Sequence, residues 1–330
     1  MNCLPFVKMK TSEKIIEYIK LKKQTTASDL VDYLGINRSA VYKHINKMLT
    51  NSIISKQGRP PKVFYYISLD KNIKEKVYID PKNEKIINKN YLIITPGGEI
   101  KEGVDGFVYW CNKNDLPVNK TAKEYIETLN KYNKFKKAGL IDGSQKFKNT
   151  FEKVYLDKIF YADFYSIERF GKTKLGQFLL YGKQSGNKKI IKQIVNEIKP
   201  KIEKIIKKYK IDAVGFVPWT VKREVQFMRE LEKGLFLSIK SIKIEKIRTE
   251  VIVPQKTLSK IQDRIENAKK TLFITEHGKY KNLLIIDDAI GSGATINHVA
   301  QEAKEKEIAT KVIGLSITGS FKGFDVISEV

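Results

Sequence analysis

Residues 282–295, NLLIIDDAIGSGAT, decide the fold of the C-terminal half of this chain. The four apolar residues Leu283 to Ile286 are typical of a strand that is buried on both faces of a parallel sheet. Asp287 and Asp288 follow this strand. Small residues come next, and then the run INHVAQEAKEKE, whose apolar residues recur at helical spacing. The stretch therefore predicts a strand, an acidic pair, a small-residue loop and a helix.

This arrangement of residue types is suited to a phosphorylated sugar. Small residues let the main-chain N–H groups at the start of a helix close around a phosphate, and Ser292 and Thr295 add hydroxyl groups. Two neighbouring carboxylates can accept hydrogen bonds from the two hydroxyls of a ribose. The predicted ribose 5-phosphate site consists of Asp287, Asp288, Ala289, Gly291, Ser292, Gly293, Ala294 and Thr295.

The same stretch resembles the phosphoribosyl-pyrophosphate (PRPP) signature of type I phosphoribosyltransferases. In that signature an apolar strand and an acidic pair precede a turn with Ser or Thr and Gly that ends in Ala-Thr. A Walker phosphate loop is excluded because no Gly-Lys-Ser/Thr follows the glycines. A dinucleotide-binding loop would have its glycines directly after the first strand and an acidic residue ~20 residues later. The alternative without a ligand is a buried strand that ends in a polar turn.

The composition of the chain bounds its class. Its 330 residues allow two or three domains, and 42% apolar with 30% charged residues is typical of a soluble globular protein. No apolar run approaches the ~20 residues of a membrane span, and the N-terminus lacks a signal-peptide core. We therefore expect a cytoplasmic protein without a membrane partner. Two distant cysteines and three histidines predict neither a disulfide framework nor direct metal ligands.

The net charge of +25 suggests nucleic acid as a partner, but it is not specific evidence. Lys, Ile and Asn are abundant throughout, including on the predicted helix 187–208, where the lysines form a solvated face. A compositional bias explains such a charge as well as a function does. The positions of arginines and of clustered basic turns are more informative.

Residues 11–50 have the pattern of three short helices. Ser28 is expected to cap the second helix, and Asn37 or Ser39 the third. Gly35 is expected to end the second helix in a left-handed conformation. A short helix, a glycine turn and a longer helix form the helix-turn-helix pattern.

Residues 53–68, IISKQGRPPKVFYYIS, predict two strands that are separated by a basic turn, which would form a wing. Helices and wing together resemble bacterial and archaeal winged-helix regulators over about sixty residues. The resemblance implies double-stranded DNA as a partner, with the third helix in the major groove and the wing at the backbone or flanking minor groove. The candidate DNA-binding residues are Arg38, Ser39, Tyr42, Lys43 and Asn46 on the helix, and Arg59 and Lys62 on the wing. A winged helix used only for dimerisation or protein contact is the alternative, and a homodimer is compatible with this class.

The chain is predicted to be α/β in three parts. Residues 1–70 form the winged helix-turn-helix domain, and residues 71–153 a linker followed by a small α+β segment of unknown role. In that segment we predict a linker at 71–90, strands at 91–95 and 107–111, and a helix at 121–136. Residues 154–330 form a phosphoribosyltransferase-like domain, in which strands and helices alternate as in a doubly wound parallel sheet. Its predicted strands are 154–167, 176–182, 213–217, 283–286 and 311–318, and its predicted helices include 187–208 and 222–235.

Ligands in such sheets bind beyond the carboxyl ends of the strands, which directs attention to the residues after strand 213–217. Lys222 and Arg223 are expected at the start of the next helix, where cations and main-chain N–H groups can hold a second anion. In phosphoribosyltransferases the corresponding loop binds pyrophosphate, and the resemblance assigns this role to Thr220, Lys222 and Arg223. A basic pair on a solvated helix is the alternative.

A further spacing resembles phosphoribosyltransferases of the ComF (competence protein F) type, and the resemblance covers about residues 161–318. It implies that Arg248 and Gln255 lie on a flexible loop that closes over the ligand. Three departures are that Leu180 stands where the family has a lysine, that Gly291 replaces a frequent hydroxyl residue, and that the loop after Pro218 lacks the family's usual Arg-Gly-Phe-Asn run. The matching residues are Lys246, Arg248, Thr249, Gln255, Leu258, Arg264, Asn267 and Phe273.

If the site is catalytic, Mg²⁺ bound with PRPP is the expected cofactor, and Asp287 and Asp288 are the candidate catalytic residues. They would lie beside the positive charge that develops on the sugar as pyrophosphate leaves. Three functions compete: a transcriptional regulator that senses PRPP or a nucleotide, an active phosphoribosyltransferase, and a ComF-like factor in DNA uptake or handling. We favour the regulator, because a DNA-reading domain fused to a metabolite site is most simply a ligand-responsive switch.

Overall fold

The structure is a computed structural model that describes residues 9–51, 53–68, 79–247, 250–251 and 253–320. The described chain is an α/β protein whose largest sheet is mixed and mostly parallel. It separates into two units, Met1–Tyr78 with Ile94–Glu99 and Ile79–Ile93 with Ile100–Val330. The domain ranges 1–70, 71–153 and 154–330 stay predictions.

In the described part of the first unit, three helices are followed by a two-stranded antiparallel sheet. Gly35 ends the second helix with φ 62°, as predicted, and its N–H donates to the Val31 carbonyl. Asn37 caps the third helix by accepting a hydrogen bond from the Ala40 N–H at 2.8 Å. The second helix starts earlier than predicted, and its cap is Thr26 rather than Ser28. The elements are α1 (Thr11–Lys22), α2 (Ala27–Leu34), α3 (Arg38–Thr50), β1 (Ile54–Arg59) and β2 (Lys62–Ile67).

One apolar cluster holds this unit together. Val41, Ile45 and Met48 occupy one face of α3 and are buried. Thr25, which precedes α2, exchanges main-chain hydrogen bonds with Tyr65 of β2 at 2.8 and 2.7 Å. The hairpin is therefore joined to the helices by main-chain pairing as well as by burial, which contributes about 1.5–3 kcal/mol per large apolar side chain.

Two predictions between residues 79 and 113 are wrong. Residues 107–111 lie in a helix rather than a strand, because Gly103, Phe107 and Cys111 recur every four residues and are buried on one helical face. Residues 81–90, predicted as part of a linker, form a helix that Asp80 caps. The elements here are α4 (Pro81–Asn90), β3 (Leu92–Ile94), β4 (Ile100–Glu102), α5 (Gly103–Lys113), α6 (Val118–Asn133), β5 (Lys136–Lys137), β6 (Leu140–Asp142) and α7 (Ser144–Thr150).

The remaining elements build most of the large sheet. Residues 283–286 are fully buried within one long strand, as the sequence predicted. These elements are β7 (Lys158–Phe164), α8 (Lys174–Ser185), α9 (Lys188–Tyr209), β8 (Ala213–Phe216), α10 (Phe227–Leu235), β9 (Lys240–Ile242), β10 (Ile244–Lys246), α11 (Ile261–Thr271), β11 (Leu272–Ile274), β12 (Tyr280–Ile290), α12 (Ala294–Glu305) and β13 (Ala309–Gly319).

The seven-stranded sheet has the order β5-β6-β7-β13-β12-β8-β9. Neighbours from β7 to β9 are parallel, whereas β6 runs antiparallel to both β5 and β7. Strand β12 lies at the centre of the parallel part, between β13 and β8. The predicted parallel sheet is thus present, and it is extended at one edge by two short strands from residues 136–142.

Three predictions in this half are wrong in detail. Residues 176–182 belong to α8, which has buried residues on most of its surface, so their apolar run resembles that of a buried strand. Helix α10 begins at Phe227, five residues after the predicted start at Lys222. Strand β12 continues through the acidic pair to Ile290, because residues 287–290 still pair with β13.

None of the described helices combines the length and the apolarity that a membrane span requires.

Candidate functional site

A cavity of about 300 Å³ lies where β8 and β12 end. One wall is the signature segment, defined as residues 287–295, and all nine of its residues line the cavity. The other lining includes the β8–α10 loop, defined as residues 217–226. The cavity thus occupies the carboxyl ends of parallel strands, where ligands of such sheets bind.

The acidic pair lies at the end of β12 and differs in burial. Asp287 is 9% exposed, and its Oδ1 accepts a hydrogen bond from the Asp288 N–H at 2.8 Å. Burial, followed by the nearby Asp288 carboxylate, raises the pKa of Asp287 to about 7, against the opposing effect of Lys183 and Lys246. Asp287 is therefore poised to ionise when a cation or a hydrogen-bond donor arrives.

Asp288 already has a cationic partner. Its Oδ2 lies 2.5 Å from Nζ of Lys183, which is near the end of α8, and both side chains are partly buried. A ribose hydroxyl or a cation at Asp288 has to share this carboxylate with Lys183 or displace it. Lys183 is absent from the predicted site because residues 176–182 are predicted as a strand. In the observed helix, Lys183 lies almost one turn beyond Leu180.

The small-residue bend connects β12 to α12 in a fixed conformation. Gly293 precedes the helix with φ 88°, and a Cβ atom there would come within 2.3 Å of the Phe147 ring. Oγ of Ser292 accepts a hydrogen bond from the Ala294 N–H at 3.3 Å. The first N–H groups of a helix have no partner within it, so the start of α12 brings main-chain donors to the cavity wall.

The β8–α10 loop differs from its prediction. Thr220 and Arg223 line the cavity, but Lys222 is not among the lining residues. None of the three lies at a helix start, because α10 begins only at Phe227. Oγ1 of Thr220 accepts a hydrogen bond at 3.0 Å from Nζ of Lys246. Burial lowers the pKa of Lys246, and the nearby Asp287 carboxylate opposes part of this shift. A second cation is therefore held beside the acidic pair.

Four residues of the ComF-like spacing are joined by hydrogen bonds. Nε2 of Gln255 donates to the Arg264 carbonyl at 3.0 Å and to Oδ1 of Asn267 at 3.2 Å. Nε of the buried Arg264 in turn donates to the Leu258 carbonyl at 2.7 Å. These bonds fix the segment before α11 against that helix, and both Gln255 and Arg264 line the cavity. Arg248 lies outside the described residues.

The candidate DNA-binding residues lie in the first unit. The five on α3 are exposed, on the side away from Val41 and Ile45, and the Arg38 guanidinium lies 5.8 Å from the centre of the Tyr42 ring. In the β1–β2 hairpin the main chain at Arg59 lies opposite that at Lys62. Contact with DNA stays a prediction for Arg38, Ser39, Tyr42, Lys43, Asn46, Arg59 and Lys62.

No three His, Cys, Asp or Glu side chains converge as a metal centre within the part of the chain that the structure describes. The two carboxylates of the signature segment are suited to hard cations such as Mg²⁺. Mg²⁺ that arrives with PRPP stays a prediction.

No protein-family model and no curated protein matches this chain.

Proposed function

We propose that this protein is a DNA-binding regulator whose second unit binds PRPP or a related nucleotide. The observation that carries the proposal is the shared cavity wall of residues 287–295, where an acidic pair and a small-residue helix start lie together. A ribose phosphate requires both features, since carboxylates accept from its hydroxyls and main-chain N–H groups donate to its phosphate. A buried strand that only ends in a polar turn would require neither the acidic pair nor the small-residue helix start.

The first unit supports the DNA-binding part of the proposal. Its order of three helices and a hairpin is the order expected of a winged helix-turn-helix domain, in which the helix after the turn would enter the major groove. The exposed face of α3 carries Arg38 and Lys43, and Lys62 begins β2 beside the hairpin turn. Phosphate contacts by such residues position a protein on DNA, and contacts to base edges give sequence preference.

The acidic pair offers a means of coupling. Asp288 is paired with Lys183, and burial favours the protonated form of Asp287. Mg²⁺ brings positive charge and PRPP brings hydroxyl donors. The loaded site therefore favours ionised carboxylates and a different position of Lys183. The ligand interacts differently with the state in which Lys183 is paired with Asp288 and the state in which Lys183 has moved. Its binding can therefore shift the populations of these two states.

The experiment measures DNA affinity with and without the ligand. Fragments bound by the full-length protein are selected from a random duplex library, and affinity for the best fragment is measured by fluorescence anisotropy at fixed salt concentration. We expect Mg²⁺ with PRPP to change this affinity, and Asp288→Asn to remove the change while the protein still binds DNA. A wild-type affinity that PRPP and nucleoside monophosphates both leave unchanged would contradict the proposal.

An active phosphoribosyltransferase is the second candidate. It is favoured by the pKa of Asp287 near 7 and by Trp219, which is 36% exposed, lines the cavity and could stack on a planar base. Release of pyrophosphate from PRPP when a nucleobase is added would establish this function. Preference for single-stranded DNA over every duplex in the selection would favour the ComF-like role instead.

A further inference from the structure

Helix α7 lies outside the predicted phosphoribosyltransferase-like range, yet two of its side chains contact the bend after β12. Nζ of Lys146 donates to the Gly291 carbonyl at 2.5 Å and to the Ser320 carbonyl at 2.6 Å. The Phe147 ring packs against Gly293, where it leaves no space for a Cβ atom. Consecutive residues of one short helix therefore fix the bend at Gly291 and at Gly293.

We infer that Lys146 is a positioning residue for a phosphate on the 291–295 bend, which it orients and polarises from behind. The inference rests on the proposed ribose phosphate site. Lys146 does not line the cavity, whereas Gly291, Ser292 and Gly293 do. A direct contact between Lys146 and the ligand is therefore not required.

The orientation follows from the geometry of the peptide. A trans peptide directs its C=O and its N–H to opposite sides. The Gly291 carbonyl is held on the Lys146 ammonium, so the Ser292 N–H of the same peptide is directed away from that ammonium. Anchoring the carbonyl thereby fixes the direction of one donor of the bend.

The charge acts through the same peptide. A hydrogen bond to a cation polarises the carbonyl and makes the N–H of that peptide a stronger donor. Burial lowers the pKa of Lys146 to about 8, so the side chain is mostly protonated at pH 7. The second bond, to Ser320, ties the bend after β12 to the end of β13. A phosphate on the bend thus meets donors that are already oriented.

The test compares Lys146→Met with Lys146→Arg in the full-length protein. Lys146→Met removes the charge and keeps the chain length, and Lys146→Arg keeps the charge. The matched control is Lys201→Met, because Lys201 is also largely buried with a lowered pKa and donates to a main-chain carbonyl, that of Ala162, at 3.0 Å. Lys201 is not among the residues that line the cavity.

Calorimetric titrations at pH 7 use three probes: PRPP with Mg²⁺, ribose 5-phosphate, and pyrophosphate with Mg²⁺. We expect Lys146→Met to weaken the two probes that carry a 5-phosphate about tenfold, the effect of one charge-assisted hydrogen bond. Pyrophosphate affinity should change less than about twofold, because that ion lacks the 5-phosphate. Lys146→Arg should recover most of the loss, and Lys201→Met should match the wild type.

Equal loss for all three probes, or no loss in Lys146→Met, would overturn the role of Lys146. If Lys146→Met does not fold, Lys146→Gln keeps a donor without the charge and is compared with Lys146→Arg in the same way. If the wild type binds ribose 5-phosphate in a Lys146-dependent manner but not PRPP, the proposed PRPP sensor fails and the role of Lys146 stands. If the wild type binds neither, both fail.

Discussion

The two loops that line the cavity differ in how firmly they are held. The bend at residues 291–295 is anchored to α7 through Lys146 and Phe147, and it runs directly into α12. In the β8–α10 loop, residues 221–224 are exposed, and the guanidinium of Arg223 is held by a single weak bond of 3.4 Å to the Gln184 carbonyl. One half of the site is preformed, and the other half is open.

The difference bears on how the two ends of PRPP would bind. A preformed bend loses little conformational entropy when a phosphate arrives, whereas ordering an exposed loop costs about 1–2 kcal/mol per residue for the main chain. We therefore expect most of the affinity to come from the ribose phosphate end. The pyrophosphate end would then act through contacts that form only in the loaded state.

The largest expected effect is that of Gly293→Ala. A side chain at φ 88° is strained, and its Cβ would collide with the Phe147 ring, so we expect a loss of roughly 2–5 kcal/mol in the free energy of unfolding. Urea denaturation measures this loss. The matched control is Gly35→Ala, which is also left-handed with φ 62° and ψ 27° but has no atom within 4 Å of the added Cβ, so only the strain of about 1 kcal/mol remains. Equal losses at both positions would mean that the bend is not packed against α7.

Asp287 makes the stability depend on pH. Its pKa is about 7 in the folded protein and near 4 in the unfolded chain, so the folded state holds a proton over that interval that the unfolded state releases. The free energy of unfolding therefore falls as the pH rises from 4 to 7. We expect Asp287→Asn to remove about 2–4 kcal/mol of this fall, measured by urea denaturation at intervals of pH.

Asp288→Asn should remove a smaller part of the same fall, because the Asp288 carboxylate is the second cause of the raised pKa of Asp287. An unchanged pH dependence in Asp287→Asn would show that this carboxyl is not held protonated.

Lys183 is expected to have a moderate effect on the same titration. Its ammonium lowers the pKa of Asp287, so Lys183→Met should raise that pKa further. Carbon-13 NMR of the carboxyl groups gives the value directly. Lys188→Met is the control, because Lys188 pairs with Glu230 rather than with the acidic pair. If the pKa of Asp287 does not change in Lys183→Met, the Lys183 ammonium does not act on the acidic pair.

The smallest effect on stability is expected in the open loop. Lys222→Ala and Arg223→Ala should each change the free energy of unfolding by less than about 0.5 kcal/mol, because both side chains are exposed. Only Arg223 lines the cavity, so affinity for pyrophosphate with Mg²⁺ should fall more in Arg223→Ala than in Lys222→Ala. An equal loss of pyrophosphate affinity in the two variants would mean that Lys222 and Arg223 both bind pyrophosphate, as the sequence predicted.

The sequence was informative where one period or one residue type determines the structure. Residues 283–286 had to form a central strand, because four apolar residues in succession fit a sheet covered on both faces, and Gly35 had to end a helix. The same patterns failed at 176–182, where a helix buried on most sides has no polar face to reveal its period.

The missed parts of the site depend on contacts between distant residues. Lys146 is 145 residues from Gly291 and lies in a seven-residue helix, so no local spacing indicates that the two meet. Lys183 reaches Asp288 only because α8 is a helix. Gln255 donates hydrogen bonds to the Arg264 carbonyl and to Asn267 of α11, contacts that local spacing does not indicate; its place on a loop that closes over the ligand stays a prediction.

The most direct test of the central claim is a calorimetric titration of PRPP with Mg²⁺ into the wild type and into Asp288→Asn. We expect one PRPP bound per chain in the wild type. In Asp288→Asn the affinity should be roughly 100-fold lower, because this variant loses one charged acceptor for the ribose hydroxyls. Lys62→Ala, in the first unit, should bind PRPP like the wild type. No binding to the wild type, or equal binding to Asp288→Asn, would contradict a ribose phosphate site at residues 287–295.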